Sequence, residues 1–246
     1  MKKGLDFIGC VVDKSGSMAG LIKDTVEGYN KFIDDQKAEV TREAKTLLTL
    51  FDSNIHIGEI EDIKTCKLMK ASSVAAKYGY YNGYKIDNSK NEFIEYCADG
   101  GTAYFDALGT TINKIGNYLD SLPEDEKPEN VIIYIITDGD ENSSHEFSGS
   151  KVKEMITHQQ DVYNWAFIFA GANIDAFDVA GDLGIAKNLT MNYTANALGV
   201  ANAYFSSSKT VSHLRGFNNN STNFDINDIA NQVVANQSVV GSGDVV

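Results

Sequence analysis

Residues 131–136, Val-Ile-Ile-Tyr-Ile-Ile, form an unbroken apolar run in which every residue but Tyr134 is β-branched, and the run stops at Thr137-Asp138-Gly139-Asp140. A half-exposed strand alternates apolar and polar residues, whereas a strand with no polar side must be covered on both faces. Such a strand belongs in the middle of a parallel sheet with helices above and below it. Strand-like and helix-like segments alternate along almost the whole chain, as that architecture requires.

Residues 5–12 are apolar except for Asp6, and they read as a second buried strand. In residues 21–36, Ile22, Val26, Tyr29 and Ile33 recur three or four apart, the spacing of one helical face. Strands are expected at 46–51 and 55–60, joined by the turn Asp52-Ser53-Asn54. Gly100-Gly101-Thr102 opens an amphipathic helix carrying Phe105, Leu108, Ile112, Ile115 and Leu119, with Pro123 beyond its end. Further helices are expected at 152–162, 174–183 and 195–214, and further strands at 165–170 and 189–193. Residues 62–99 break the pattern: Tyr78, Tyr80, Tyr81 and Tyr84 suggest a hairpin, and 92–96 a short helix. The domain is expected to span 1–215, with 62–99 as a variable insertion. Residues 216–246, rich in Asn, Ser and Asp, form a C-terminal extension in which 226–234 has the pattern of one docking helix.

Ligands of open α/β sheets sit at the carboxyl ends of the strands, where the strand order reverses. The first strand ends in Asp13-Lys14-Ser15-Gly16-Ser17-Met18, the central one in Thr137-Asp138-Gly139, and Gly101-Thr102 precedes a helix. Asp13, Ser15, Ser17, Thr102 and Asp138 would bring two carboxylates and three hydroxyls to one point. All five are oxygen donors, which suits a hard cation such as Mg²⁺, Mn²⁺ or Ca²⁺ and argues against copper or zinc. With only two carboxylates the ion keeps net positive character and an affinity for one more, supplied by a partner. Each piece alone has a plainer reading, since Ser and Asp after a strand often cap the next helix and Thr-Asp-Gly is a common turn. Asp140, Glu141 and Asn142 are expected to form a solvated acidic loop at the same rim, and Lys14 to point to solvent at the site's edge.

Composition narrows the functional classes. Against 21 Lys and Arg stand 34 Asp and Glu, a formal charge of -13 that repels phosphate backbones and makes nucleic acid an unsuitable partner. Three cysteines, Cys10, Cys66 and Cys97, are too few and too scattered for a disulfide scaffold, and no Cys/His group has zinc spacing. No apolar stretch has the length of a membrane span, so no membrane partner and a cytoplasmic location are expected.

The motif at 13–18, Thr102 and the Thr137-Asp138-Gly139 turn together resemble the metal-ion-dependent adhesion site (MIDAS) of von Willebrand factor A (vWA) domains. The resemblance covers roughly residues 4–200. Within that family, Gly171-Ala172-Asn173-Ile174-Asp175-Ala176 and Gly184-Ile185 look most like stand-alone intracellular vWA proteins of bacteria and their phages, including those of tellurite-resistance clusters. It implies a doubly wound, Rossmann-like α/β fold with a mostly parallel six-stranded sheet. It also implies that Ser15, Ser17 and Thr102 contact the ion, with Asp13 and Asp138 binding directly or through water. The expected function is cation-dependent binding of a partner protein through its Asp or Glu, without enzymatic activity. Two alternatives are a structural component of a phage or chaperone-like assembly and a metal-dependent hydrolase or phosphatase. Against the hydrolase, the haloacid-dehalogenase pattern wants a second Asp where this chain has Ser15.

Overall fold

A computed structural model describes residues 1–72, 93–216 and 225–231. In chain order, β1 (Lys2–Asp13) leads through a tight turn (Gly16–Leu21) into α1 (Ile22–Ala38) and then β2 (Glu43–Phe51). The short strands β3 (Ile55–Ile57), β4 (Glu61–Asp62), β5 (Met69–Ala71) and β6 (Ile94–Tyr96) follow. Beyond them come α2 (Tyr104–Asp120), β7 (Pro128–Thr137), α3 (Gly149–Tyr163), β8 (Ala166–Gly171), α4 (Ala176–Asp182), β9 (Thr190–Asn192) and α5 (Ala197–Gly216).

The main sheet has the order β3-β2-β1-β7-β8-β9, with β4 sharing the outer edge of β2. It is therefore six positions wide although seven strands contribute. All pairings from β2 across to β9 are parallel, and only β3 and β4 run antiparallel. The chain moves from β1 to β2 on one side and later enters β7 on the other. The carboxyl ends of β1 and β7 therefore flank the point where strand order reverses.

The apolar run of β7 behaves as its composition demands. Ile132, Tyr134 and Ile136 enter one core with Phe32 of α1 and Tyr204 of α5, while Ile133 and Ile135 enter the other with Leu108 and Ile112 of α2 and Val152 of α3. Every one of these strand side chains is fully buried. Each such burial contributes about 1.5–3 kcal/mol, which is why an unbroken apolar strand can be held only between two helical layers. Helix ends follow local chemistry: the Ser148 hydroxyl accepts from Lys151 N at the start of α3, and Asn164 closes that helix at φ 55.

Helices α1 and α5 approach closely over Gly28, where an added Cβ would lie 2.3 Å from the buried ring of Tyr204. Gly28→Ala is expected to cost about 1–3 kcal/mol through overpacking. Urea denaturation measures this, and an unchanged midpoint would mean that the two helices can slide apart freely.

Two expectations change. Residues 55–60 are not one strand: Gly58 N donates to Leu48 O at 2.8 Å outside the regular ladder, and the edge splits into β3 and β4. The expected helix at 92–96 is, in its described part, strand β6, paired in parallel with β5 from Met69↔Ile94 to Ala71↔Tyr96. Burial of Tyr96 and this pairing override a weak local helical preference. The tyrosines 78, 80, 81 and 84 lie outside the described residues. In the extension, 226–231 are helical, Ile226 is buried in the α1–α5 core, and Asn227 Nδ2 donates to Thr190 O at 3.0 Å.

At the amino end of β1, Asp6 is fully buried in the network that this residue nucleates. Its Oδ1 accepts from Arg42 (2.6 Å) and Asn130 (2.9 Å), and its Oδ2 from Arg42 (2.9 Å) and Arg215 (2.9 Å). Arg215, at the end of α5, also donates to the carbonyl and the side-chain oxygen of Gln36. No helix among the described residues is long and apolar enough to cross a membrane.

Candidate functional site

At the opposite, carboxyl edge, β1 delivers Asp13 as its last residue and the chain turns back over it. Asp13 Oδ1 accepts from Ser15 N at 2.6 Å, and Oδ2 accepts from Thr137 Oγ1 at 2.6 Å. The turn aligns the two serines, whose hydroxyls lie 3.0 Å apart, and Ser17 Oγ donates to Asp138 Oδ1 at 2.5 Å. Four of the five expected residues are thus linked through hydrogen bonds across the β1–β7 junction. Thr102 completes the group from the start of α2: a Cβ placed on Gly139 would lie 3.5 Å from Thr102 Oγ1 and 3.7 Å from Ser17 Oγ. The space that glycine leaves open is therefore bounded by hydroxyls from two different loops.

Burial sets the electrostatics. Asp13 is fully buried and Asp138 nearly so. Loss of water pushes the Asp13 carboxyl up to about 6, against the hydrogen bonds from Thr137 and Ser15, and the charge of Asp138 adds to the rise. Burial likewise raises Asp138. Among the described residues, no Lys, Arg or His forms an ion pair with either carboxylate. Nor do three His, Cys, Asp or Glu side chains converge there or elsewhere among those residues, so hydroxyls make up most of this donor set.

Lys14 does not point to solvent as expected. It is buried, its ammonium is paired with Asp52, and its amide donates to Phe51 O at 2.7 Å. The alternation of a turn next to a strand end sends Ser15 and Lys14 to opposite sides, and the Lys14 side finds a carboxylate. The loop after Asp138 is also different from a solvated acidic loop. Glu141 accepts from the backbone amides of Phe105, Ser143 and Ser144 at 2.7–3.0 Å, and Asn142 Oδ1 accepts from Thr102 N at 2.9 Å. Asp106 returns the clamp by accepting from the amides of His145, Glu146 and Phe147 at 2.7–2.9 Å. Asp140 alone of the three is exposed to water without such a role.

Several supports were not legible in the sequence. Tyr96 OH donates to Asp13 O at 2.6 Å, Tyr193 OH to Thr137 O at 3.1 Å, and Asn173 Nδ2 to Asp138 O at 3.0 Å. Gly16 N donates to Gly100 O at 2.9 Å, tying the serine turn to the loop that carries Thr102. These partners lie at least 35 residues away in sequence, and no local signal marks them. Thr137 was visible only as part of a turn.

No family model matches the sequence, and no curated protein matches it. Solved structures do. The D319A mutant of the PilB minor pilin from Streptococcus sanguinis aligns with 88% of this chain and 64% of its own, at 12% identity and a TM-score of 0.53. Proximal thread matrix protein 1 from the mussel byssus aligns with 85% of this chain and 46% of its own, at 14% identity and a TM-score of 0.52. A structure of that protein described with a zinc-occupied MIDAS motif aligns over the same shares at 16% identity and a TM-score of 0.50. This chain spans about half to two thirds of the length of those proteins. At these identities the likeness is one of fold, and the fold is the vWA-like, mostly parallel α/β sheet that the sequence led us to expect.

Proposed function

We propose that the chain is a binding module that holds a divalent cation with Asp13, Ser15, Ser17, Thr102 and Asp138 and uses it to capture an Asp or Glu of a partner protein. The observation that carries this reading is the convergence of five oxygen-bearing side chains from three loops with, among the described residues, no basic side chain paired to their carboxylates. Two desolvated, like-charged carboxylates at one point oppose folding unless a cation compensates them. The opening over Gly139, bounded by Thr102 and Ser17, fits an oxygen-bound ion. The all-oxygen set favours Mg²⁺ or Mn²⁺, then Ca²⁺. When bound, such an ion supplies a Lewis-acidic position that a carboxylate from outside can fill.

The chain's own groups do the positioning. Ser15 N and Thr137 Oγ1 fix both oxygens of Asp13, Tyr96 and Asn173 hold the backbone beneath Asp13 and Asp138, and Asn142 holds that of Thr102. With both oxygens already accepting hydrogen bonds, Asp13 is read as a ligand rather than a nucleophile, and the chain as non-enzymatic. Capture from a host lysate tests the reading. A partner retained with Mg²⁺, released by EDTA and lost in Asp13→Ala supports it. Metal that raises the melting temperature while EDTA releases nothing would instead make the cation a structural element of a larger assembly. Thr102→Val is expected to weaken Mn²⁺ binding only about 3- to 10-fold, because a neutral oxygen is lost rather than a charge. A calorimetric loss as large as that of an Asp variant would mean the donor set is wrong.

A further inference from the structure

Among the described residues, the edge of the sheet that carries the site is short of positive charge. In its loops, 14–21, 52–54, 97–103, 138–148, 172–175 and 193–196, Lys14 is the only Lys or Arg. Its ammonium is buried against Asp52. On the first turns of the helices leaving this edge, Lys23 pairs with Glu27 at 3.8 Å and Lys151 with Glu154 at 3.1 Å. Asp99, Asp140 and Asp175 are left at the rim, and among the described residues none of them has a cationic partner.

All three adjoin the site. Asp99 N donates to Lys14 O at 2.9 Å, Asp140 follows Asp138 by two residues, and Asp175 lies two residues past Asn173, whose amide holds the Asp138 carbonyl. Backbone amides hold two of the carboxylates in place, Gly100 N donating to Asp99 and Phe177 N to Asp175. A divalent cation offsets Asp13 and Asp138 and no more. A carboxylate approaching the open position therefore crosses the field of three further carboxylates, on a chain whose formal charge is -13.

We infer that the captured segment is an Asp or Glu flanked by Lys or Arg, whose cationic heads meet Asp99, Asp140 and Asp175. This rests on the reading that the site captures a carboxylate through a cation. An acidic stretch, or a lone carboxylate among neutral residues, is selected against by the same rim that rewards the basic flanks. Flanking residues within about three positions reach the rim, since an extended chain advances roughly 3.3 Å per residue.

The full chain is first titrated with Mn²⁺ by calorimetry. Fluorescent seven-residue peptides are then compared by anisotropy: central Asp with Lys and Arg flanks, central Asp with Ser flanks, and central Asn with the basic flanks. At about 50 mM salt the basic-flanked Asp peptide is expected to bind roughly tenfold tighter than the Ser-flanked one, with EDTA abolishing both. That advantage should shrink to about twofold at roughly 500 mM salt and in the D99N/D140N/D175N variant. The basic Asn peptide should not bind. Equal affinity for the two Asp peptides, an advantage that survives in the triple variant, or equal binding of the Asn peptide would overturn the inference while leaving the metal reading intact. Failure to take up Mn²⁺ would sink the metal reading and this inference with it.

Discussion

In a calorimetric titration, Mn²⁺ is expected to bind the Asp13→Ala protein at least about 100-fold more weakly than the wild type, with the fold intact. Loss of an outer-sphere partner alone typically costs 10- to 100-fold, and here a charged donor and the anchor of the serine turn go together. Asp13 Oδ1 is what Ser15 N binds, and the Ser15 hydroxyl in turn lies 3.0 Å from that of Ser17. Asp138→Ala is expected to match it, because Ser17 Oγ loses its acceptor as well as the site losing a charge. The contrast lies in stability. Burial already raises the Asp13 carboxyl to about 6, so at neutral pH its ionised form is held at a cost to the fold. The sign is opposite to that of an ion-paired aspartate: the penalty is absent below the unfolded value and grows as pH rises through the folded one. In EDTA at pH 7, Asp13→Asn, which can keep accepting from Ser15 N, should therefore melt no lower than the wild type. Unchanged Mn²⁺ affinity in both alanine variants would remove the metal site, and collapse of the fold in EDTA would make Asp13 a structural residue.

Asp6→Ala is expected to destabilise the protein by about 3–5 kcal/mol, measured by urea denaturation. Asp6 is fully buried and Arg215 is 1% exposed, and the carboxylate accepts four hydrogen bonds from Arg42, Arg215 and Asn130. Arg42 keeps Glu129 at 2.8 Å as a second anion, but Arg215 loses its only ion-pair partner among the described residues. A guanidinium cannot shed its proton to escape burial, so the penalty falls on the fold. Asp6→Asn should cost less, since an acceptor remains. The double variant Asp6→Leu/Arg215→Met should recover part of the loss, because an apolar pair of similar volume needs no compensation. A loss below about 1 kcal/mol in Asp6→Ala would mean that water reaches Arg215. The network lies at the far end of β1 from Asp13, so Mn²⁺ affinity of the folded fraction should not change.

These two aspartates mark how much could be read before the fold was known. Asp13 was legible because it closes a hydrophobic run and opens a short motif, and strand ends at a reversal of order are where such sheets place ligands. Asp6 interrupts the same run, yet its role depends on Arg42, Asn130 and Arg215, which lie 36, 124 and 209 residues away. Lys14 shows the same limit inside the motif itself. Its sequence position suggests a cation at the rim, but its neighbour Asp52 comes from the end of β2, and only strand packing brings the two together.

By itself, the order of residues determined the two-faced burial of β7, the β–α alternation that follows from it, and the five oxygen-bearing side chains at strand and helix ends. These are local properties, set by periodicity and by which residues terminate a strand. Tertiary structure alone decided that β6 is a strand, that Glu141 and Asp106 clamp the rim instead of solvating it, and that Tyr96, Tyr193 and Asn173 hold the site's backbone from behind. Each of those outcomes depends on a partner distant in sequence, because a buried hydrogen-bonding group takes whatever partner packing supplies and leaves no periodic trace in the chain that carries it.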